Sequence, residues 1–257
     1  MKCVKDTMSM FLAIIMLMSI AFPVCAEGLR EAPPEILEGE GMTHKYLIYG
    51  SYEQDNNLEN GPEPIEWLVL KEEDGRALVI SRYALELRRY HHSISEDDSV
   101  TWETWDLRAW LNGEFLETAF TETERERIPT VTVEARGTNI FPTDPGNNTE
   151  DKIFLLSYQE ASRYFKGGRA RKCQPTAHAI ANYEIANGKE WKVIGYRKSD
   201  SGNCSWWLRT PGEFPGSGSL VGSDGVMGFI GRVSVAMMHL HDYNYGVRPA
   251  MWIDLEP

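Results

Sequence analysis

The stretch IEWLVLKEEDGRALVI, residues 65–80, decides the fold class of this chain of 257 residues. Its two apolar segments, 65–70 and 77–80, flank Glu73-Asp74-Gly75, and a Gly-containing turn between two strand-like segments is a strong local signal for a β-hairpin. Residues 46–50, just before it, have the composition of another strand. The N-terminal part of the domain is therefore predicted to be antiparallel sheet.

The spacing of the apolar residues becomes helical after residue 100. Leu107, Trp110 and Leu111 share one helical face, and Asn112-Gly113 is predicted to end that helix with a left-handed residue. Capping signals predict the other helices, because a Ser or Thr hydroxyl accepts from the first free amides of a helix. These signals are Thr121 with Glu124, Ser157 with Glu160 and, as a cap alone, Thr176 ahead of residues 177–185.

Strand signals return in the last part of the chain. A polar loop, residues 136–152, separates predicted strands at 130–135 and 153–156. The later segments are separated by Gly-rich turns and lie at 205–209, 219–221, 226–230, 232–237 and 247–255. Because no repeat or linker interrupts residues 42–257, we predict one α+β domain with antiparallel β-sheets and two or three short helices.

The first 26 residues have the organisation of a secretory signal peptide. Lys2 and Lys5 precede an apolar run, residues 10–22, that is short for a bilayer span, and Val24-Cys25-Ala26 provides small residues at a cleavage site. An uncleaved anchor and a lipoprotein signal that acylates Cys25 are the alternatives. We predict cleavage after Ala26 and a secreted, extracellular protein.

The chain is acidic, with 26 Lys and Arg against 38 Asp and Glu and a net charge of −12. Cleavage removes Lys2, Lys5 and Asp6, which leaves a net charge of −13. Such a surface repels nucleic acid and anionic lipid, so neither is predicted as a partner of the mature chain. Residues 27–41 are acidic and contain adjacent prolines, and we predict a flexible leader there.

Two cysteines, Cys173 and Cys204, remain after cleavage. In an exported protein they are predicted to form one disulfide, which restricts the unfolded chain by about 3–4 kcal/mol. A Cys-type zinc site needs four ligands and is not predicted.

Several segments occur in an order that resembles the bacterial domain-of-unknown-function family numbered 6273. They are YGSYEQ (49–54), IEWLVL (65–70), LRAWLNGEF (107–115) with Ala119-Phe120, DKIFLLS (151–157), WWLRTPG (206–212) and GVRPAMWI (246–253). The resemblance covers nearly the whole mature chain and implies no established activity. The order of elements is more loosely similar to C-type-lectin-like folds and to the formylglycine-generating sulfatase-modifying enzymes, which implies a core of that kind.

Five residues of these motifs are predicted to specify the structure. Trp206 and Trp207 point to opposite faces of a strand, where core packing is favoured over a sugar-stacking platform. Trp110 is predicted to pack from its helix against the core. Arg209 and Arg248 each lie shortly before a proline, and we predict that they bond loop carbonyls or pair with an acid, with anion binding as the alternative.

No catalytic residue, metal site or cofactor is predicted. A GxSxG motif is absent, and His178 is the only histidine close in sequence to a cysteine, Cys173. Residues 143–148 lack EF-hand spacing for calcium. The best candidate is a partial metal-ligand set of His239, His241 and Asp242, with His91-His92 elsewhere in the chain. It lacks a third ligand at a diagnostic spacing, so no metal site is predicted.

Two functions of different kinds remain open. The first is a non-catalytic extracellular module that binds a glycan, a cell-wall polymer or a protein, and it is favoured by export and by the long polar loop. The alternative is a cysteine- or metal-dependent enzyme related in fold to the formylglycine-generating enzymes. The oligomeric state is not predicted.

Overall fold

The hairpin of residues 65–80 lies in the first sheet of the computed structural model, which describes residues 34–38, 44–90, 100–187, 202–229 and 245–256. The strands of this sheet run in the order β1-β2-β3-β12-β7, and all neighbours are antiparallel. The C-terminal strand thus lies between the hairpin and β7. The strands are β1 (Tyr46–Tyr52), β2 (Glu63–Glu73), β3 (Arg76–Ser81), β7 (Ile153–Phe154) and β12 (Ala250–Asp254).

The turn between β2 and β3 has the predicted form. Asp74 and Gly75 have φ angles of 51° and 73°, the left-handed region that a tight hairpin requires and that Gly adopts without a steric penalty. Along β2, the side chains of Ile65, Trp67 and Val69 are buried in alternation with less buried neighbours. The prediction of antiparallel sheet is confirmed.

A second sheet brings together segments from distant parts of the chain. Its order is β10-β9-β8-β11-β4, and the β8–β11 pair is parallel where Gly246 is opposite Trp206. A separate two-stranded sheet joins β5 to β6. These strands are β4 (Glu86–Arg88), β5 (Val131–Val133), β6 (Thr149–Asp151), β8 (Trp206–Pro211), β9 (Gly218–Val221), β10 (Met227–Phe229) and β11 (Tyr245–Val247).

The helices are short, and three of them begin where the capping signals predict. Thr121 and Ser157 each form a complete capping box, and the Thr176 hydroxyl accepts from the amide of Ala179 at 3.1 Å. The helical segments are a 3-10 turn (Trp102–Thr104), α1 (Asp106–Trp110), α2 (Leu116–Ala119), α3 (Glu122–Glu126), α4 (Tyr158–Tyr164), α5 (Gly168–Arg171) and α6 (Ala177–Asn187). The described chain is a single mixed α+β domain with antiparallel sheets.

The predicted helix end at Asn112-Gly113 is wrong. A π-helical turn, Leu111–Phe115, continues α1 directly into α2. The Asn112 carboxamide accepts from the amides of Lys152 and Ile153 at 2.9 and 3.1 Å, and donates to the Ile153 carbonyl at 2.8 Å. Because this side chain is bound to the start of β7, it does not close the helix, and the widened turn accommodates the contact.

The long polar loop is shorter than predicted. Residues 149–151 form β6, which pairs with β5, so the loop covers residues 134–148. Some predicted features lie outside the described residues: the signal peptide (1–26), the histidines at 91, 92, 239 and 241, Asp242, and the strand at 232–237. In the predicted leader, residues 34–38 are described, and Leu37 pairs with Tyr46 of β1.

Candidate functional site

Trp206 and Trp207 of β8 are both 0% exposed. The Trp207 ring makes edge contacts with Tyr90 and Tyr245 at centroid distances of 4.8 and 4.6 Å. The Trp206 ring makes an edge contact with Phe165 at 6.2 Å. Because protein encloses both rings, neither is available for stacking on a sugar, and β8 packs on both of its faces.

Trp110 is only half-buried, unlike the two tryptophans of β8. Its ring lies 5.2 Å from that of Phe115, and the Arg88 guanidinium is 4.2 Å from its centroid. This arrangement is a cation–π contact at the edge of the core. Trp110 therefore contributes less burial than its place in the helical pattern predicts.

Arg209 pairs with an acid and bonds a carbonyl as well. Its guanidinium contacts both carboxylate oxygens of Glu160, with a distance of 3.0 Å between Nη2 and Oε1, and donates to the Leu155 carbonyl at 2.7 Å. Burial raises the pKa of Glu160, but the Arg209 charge and the bonds from Arg209 and Ser157 outweigh it, so the net pKa lies below its usual value. Arg209 thus joins β8 to the first turn of α4.

Arg248 is 1% exposed and bonds only backbone carbonyls in the described part of the chain. Nε and Nη2 donate to the Ser81 carbonyl at 3.0 and 2.7 Å, and Nη2 is 3.4 Å from the Arg82 carbonyl. Its guanidinium lies 4.8 Å from the Trp206 ring centroid, while Nη1 has no hydrogen-bond partner among the described residues. This cation connects the end of β3 to the start of β12.

Cys173 and Cys204 meet as an antiparallel backbone bridge, in which the Cys204 amide donates to the Cys173 carbonyl at 2.8 Å. They are 2% and 0% exposed. A Cβ at Gly246 would lie 2.9 Å from the Cys204 sulfur, so glycine is needed where β11 passes it. Both residues are free thiols here, and the disulfide remains a prediction.

The two thiols differ electrostatically. Burial disfavours the Cys173 thiolate, but the hydrogen bond with Cys204 and the Arg248 charge bring its pKa below the usual value. The hydrogen bond with Cys173, together with burial, holds the pKa of Cys204 well above its usual range. Cys173 is therefore the thiol that ionises first.

His178 lies in a polar cluster with Tyr52 and Glu86. Its Nε2 is 2.8 Å from the Asn182 carboxamide nitrogen and 3.9 Å from the Glu86 carboxylate. The Tyr52 hydroxyl donates to Glu86 at 2.7 Å, and burial followed by the Glu86 charge raises the pKa of Tyr52. These contacts connect α6 to β4 and β1, whereas the Cys173 sulfur lies near the Arg82 and Gln174 carbonyls.

Residues 134–148 and 211–217 together form a surface that we call the loop surface. The Thr143 hydroxyl donates to the Gly212 carbonyl at 2.9 Å, and the Gln159 carboxamide donates to the Gly137 carbonyl at 2.9 Å. Ile140 is nevertheless 62% exposed. The backbone of the loop is thus held against the domain while a large apolar side chain faces solvent.

Three carboxylates, of Glu53, Asp55 and Glu63, lie within 4.8 Å of one another, which the sequence analysis missed. The Gln54 amide donates to Glu63 and the Asn57 amide donates to Asp55, each at 2.7 Å. Hydrogen bonds, first from Asn60 and then from the Asn57 backbone, lower the pKa of Asp55. Amide donors therefore already stabilise this exposed cluster, and it is assigned no ion.

An open cleft of about 480 Å³ lies between the β2–β3 turn and α3. Its walls are charged and partly paired, with Arg76 Nε 2.6 Å from Asp254 Oδ1. Exposed pairs of this kind contribute little energy, because water competes for both charges. The residues that line it are Asp74, Gly75, Arg76, Thr123, Glu126, Arg127, Asp254 and Glu256.

The chain matches one family of known proteins. The model of the family described as Domain of unknown function (DUF6273) matches residues 74–255, and the chain belongs to that family. The match includes both cysteines, both arginines and all of the second sheet. No curated protein and no solved structure matches the chain at the significance required. None of the described helices is both long enough and apolar enough to cross a membrane.

Proposed function

We propose that the chain is a secreted bacterial protein that acts as a non-catalytic extracellular binding module through the loop surface. The observation that carries the proposal is the combination of a loop held at Thr143 and Gly137 with Ile140 exposed at 62%. A loop ordered before binding loses less entropy when a partner docks, and an exposed apolar side chain gains free energy when it is covered.

A protein partner is favoured over a glycan. Aromatic rings are the usual platform for sugars, and Trp206 and Trp207 are enclosed. The loop surface instead exposes Ile140 with Pro142 and Pro215, which suits an apolar contact with another protein. The acidic charge of the chain favours a partner with a basic rim.

The burial of the cysteines disfavours the enzyme alternative. Their exposed fractions of 2% and 0% keep a substrate away from both sulfur atoms in this conformation. A thiol needs access as well as ionisation to act as a nucleophile. The pair is better suited to a structural disulfide.

We further propose that the core is of the C-type-lectin-like or sulfatase-modifying type. Two features support this: β12 returns to the sheet that contains β1, and Arg248 lies just before β12. An experimental structure checks the proposal by superposition on such folds, and a different strand order would contradict it.

The binding proposal is tested with the purified mature chain. Immobilised protein is exposed to cell-surface proteins, cell-wall polymers and glycans, beside an unrelated control domain. We expect saturable binding to a protein that falls at least about tenfold in Ile140→Ser, the loss of one central apolar contact. Leu58→Ser is the matched control, because Leu58 is 77% exposed on a different loop.

Binding no stronger than that of the control domain would remove the proposal. Equal losses in Ile140→Ser and Leu58→Ser would show that the loop surface is not the binding site. Binding to a glycan that depends on Ile140 would support a binding module at the loop surface but contradict a protein as its ligand.

A further inference from the structure

We propose that residues 173–187, which contain Cys173 and α6 and which we call the latch, pack on β4 in both redox states but open more readily when Cys173 and Cys204 are thiols than when they form a disulfide. The latch is thus a redox-sensitive element built into the fold.

The base of the latch is attached at one place. The Cys173 carbonyl accepts from Cys204 at 2.8 Å, the Gln174 carbonyl accepts from Ala84 at 3.0 Å, and the Thr176 amide donates to Ala84 at 3.0 Å. These backbone bonds lie directly beside the sulfur atoms. A covalent link at Cys173 therefore acts where the latch must detach in order to open.

The outer part of the latch is held by a small contact. Ala179 and Tyr183 pack on Leu87 of β4 in an apolar cluster separate from the main core, with Ile180 beside it. Its polar contacts include the His178 amide, which donates to the Gln54 carbonyl at 3.0 Å, and the pair of His178 with Glu86 at 3.9 Å. Segments with few buried apolar contacts open locally at lower free energy than a central core. Judged from the described residues, the outer part of the latch therefore has the features of a segment that opens before the sheets do.

Because the two sulfur atoms are buried, their oxidation requires local opening of the protein. Because Cys173 and Cys204 are 2% and 0% exposed and both belong to the main core, a reagent reaches them only when the fold opens around the cysteine bridge. With a small disulfide such as oxidised glutathione, the Cys173 thiolate attacks one sulfur and releases one glutathione thiolate. Cys204, after losing its proton, attacks the mixed disulfide and releases the second. The two protein thiols are oxidised to one S–S bond, and the small disulfide is reduced to two thiols.

The electrostatics of the pair agree with this order of attack. The hydrogen bond that the two thiols share lowers the pKa of Cys173 and raises that of Cys204, and the Arg248 charge favours the thiolate of both. The thiolate is the attacking species in exchange, so Cys173 reacts first.

The test is amide hydrogen exchange, followed by mass spectrometry of peptides, on the mature chain treated with oxidised glutathione or with dithiothreitol. Intact mass after alkylation reports whether the disulfide has formed. We expect latch amides to exchange about 100-fold or more slowly in the oxidised protein, since the cross-link restricts the open state. Peptides from β2 and β3 should change less than about threefold, because these strands open with the main core.

Helix α4 is the matched control, since it is also a short capped helix but does not include the cysteine bridge. The Cys173→Ser/Cys204→Ser double variant should exchange alike under both treatments. If that variant does not fold, the single variants Cys173→Ser and Cys204→Ser, neither of which can form the bridge, take its place.

Three results would overturn the proposal. The pair fails to oxidise, latch exchange is the same in both redox states, or protection changes uniformly across the domain. In the last case the disulfide stabilises the whole fold and no separate latch exists.

Discussion

The two large sheets are assembled in different ways. In the first sheet, the hairpin strands β2 and β3 are adjacent in the chain, and burial alternates along β2. In the second sheet, β8 pairs with β9 nearby but also with β11, and β11 pairs with β4 from far upstream. All of β8 is buried, so both of its faces pack against protein.

This difference shows which contacts stabilise the hairpin and which stabilise the second sheet. The hairpin depends on a local turn and on the alternation of side chains, which adjacent residues specify. The second sheet depends on side chains that connect distant segments, such as Trp207 to Tyr245 and Arg209 to Glu160. Changes to these connecting side chains should therefore destabilise the domain more than changes to the hairpin turn.

The largest effect is expected from Trp207→Ala. Trp207 is 0% exposed between Tyr90 and Tyr245, so its removal leaves a cavity and should lower the free energy of unfolding by about 4 kcal/mol. Half-buried Trp110→Ala should cost only about 1–2 kcal/mol. Urea unfolding measures both, and equal losses would contradict the assigned burial.

Glu160→Gln should lower the free energy of unfolding by about 3 kcal/mol, because it leaves the buried Arg209 guanidinium without its carboxylate partner. The matched control is Glu117→Gln, which changes an exposed carboxylate of α2 and should be nearly neutral. A small loss in Glu160→Gln would show that the bonds of Arg209 to carbonyls suffice.

The pair of Arg209 and Glu160 predicts that the free energy of unfolding depends on pH. The pKa of Glu160 in the folded state lies below its usual value of 4.5, so the stabilisation from ionised Glu160 is fully present above that value. It is lost as the pH falls below 4.5 through the folded pKa. Urea unfolding over this acid range should therefore show a steeper loss of stability in the wild type than in Glu160→Gln. Parallel curves would contradict the pairing.

Asn112→Ala should cost about 2 kcal/mol. It removes the acceptor for the Lys152 and Ile153 amides and so separates the π-helical turn from β7. Thr118→Ala is the control, since Thr118 is exposed on α2. If both variants unfold alike, Asn112 does not hold β7 to the helix.

The smallest effect is expected at the hairpin turn. Gly75→Ala should lower the free energy of unfolding by about 1 kcal/mol, because φ is 73° there and alanine adopts this left-handed conformation at a cost. A steric clash adds nothing, since the nearest atom to a new Cβ is 3.5 Å away. Gly113→Ala should instead stabilise the protein by up to about 1 kcal/mol, since a Cβ there meets nothing within 4 Å and φ is not left-handed. Unfolding curves with the same sign for both variants would contradict this comparison.

Local signals predicted much of the fold. The Asp74-Gly75 turn and the caps at Thr121, Ser157 and Thr176 act within a few residues, and all are confirmed. The sequence missed β4, β6 and α5, which are short and have no strong pattern of their own. Family membership was also predicted correctly, although the matched residues, 74–255, include only four of the six motifs and leave out YGSYEQ (49–54) and IEWLVL (65–70).

The candidate site was predicted less completely. The five motif residues were identified, but Glu160 was seen only as a capping residue and not as the partner of Arg209. The cluster of Tyr52, Glu86 and His178 gave no signal, because its members are far apart in the chain and each residue type is common alone.

The sequence by itself determined the elements whose stabilising contacts are local: the hairpin, the capped helices and the apolar faces. Only the tertiary structure decided that Asn112 extends a helix instead of ending it, that Trp110 is half-buried, and that Arg209 pairs with Glu160. The physical reason is that these outcomes depend on bonds and packing between segments that are distant in sequence. Their geometry exists only once both sheets have formed.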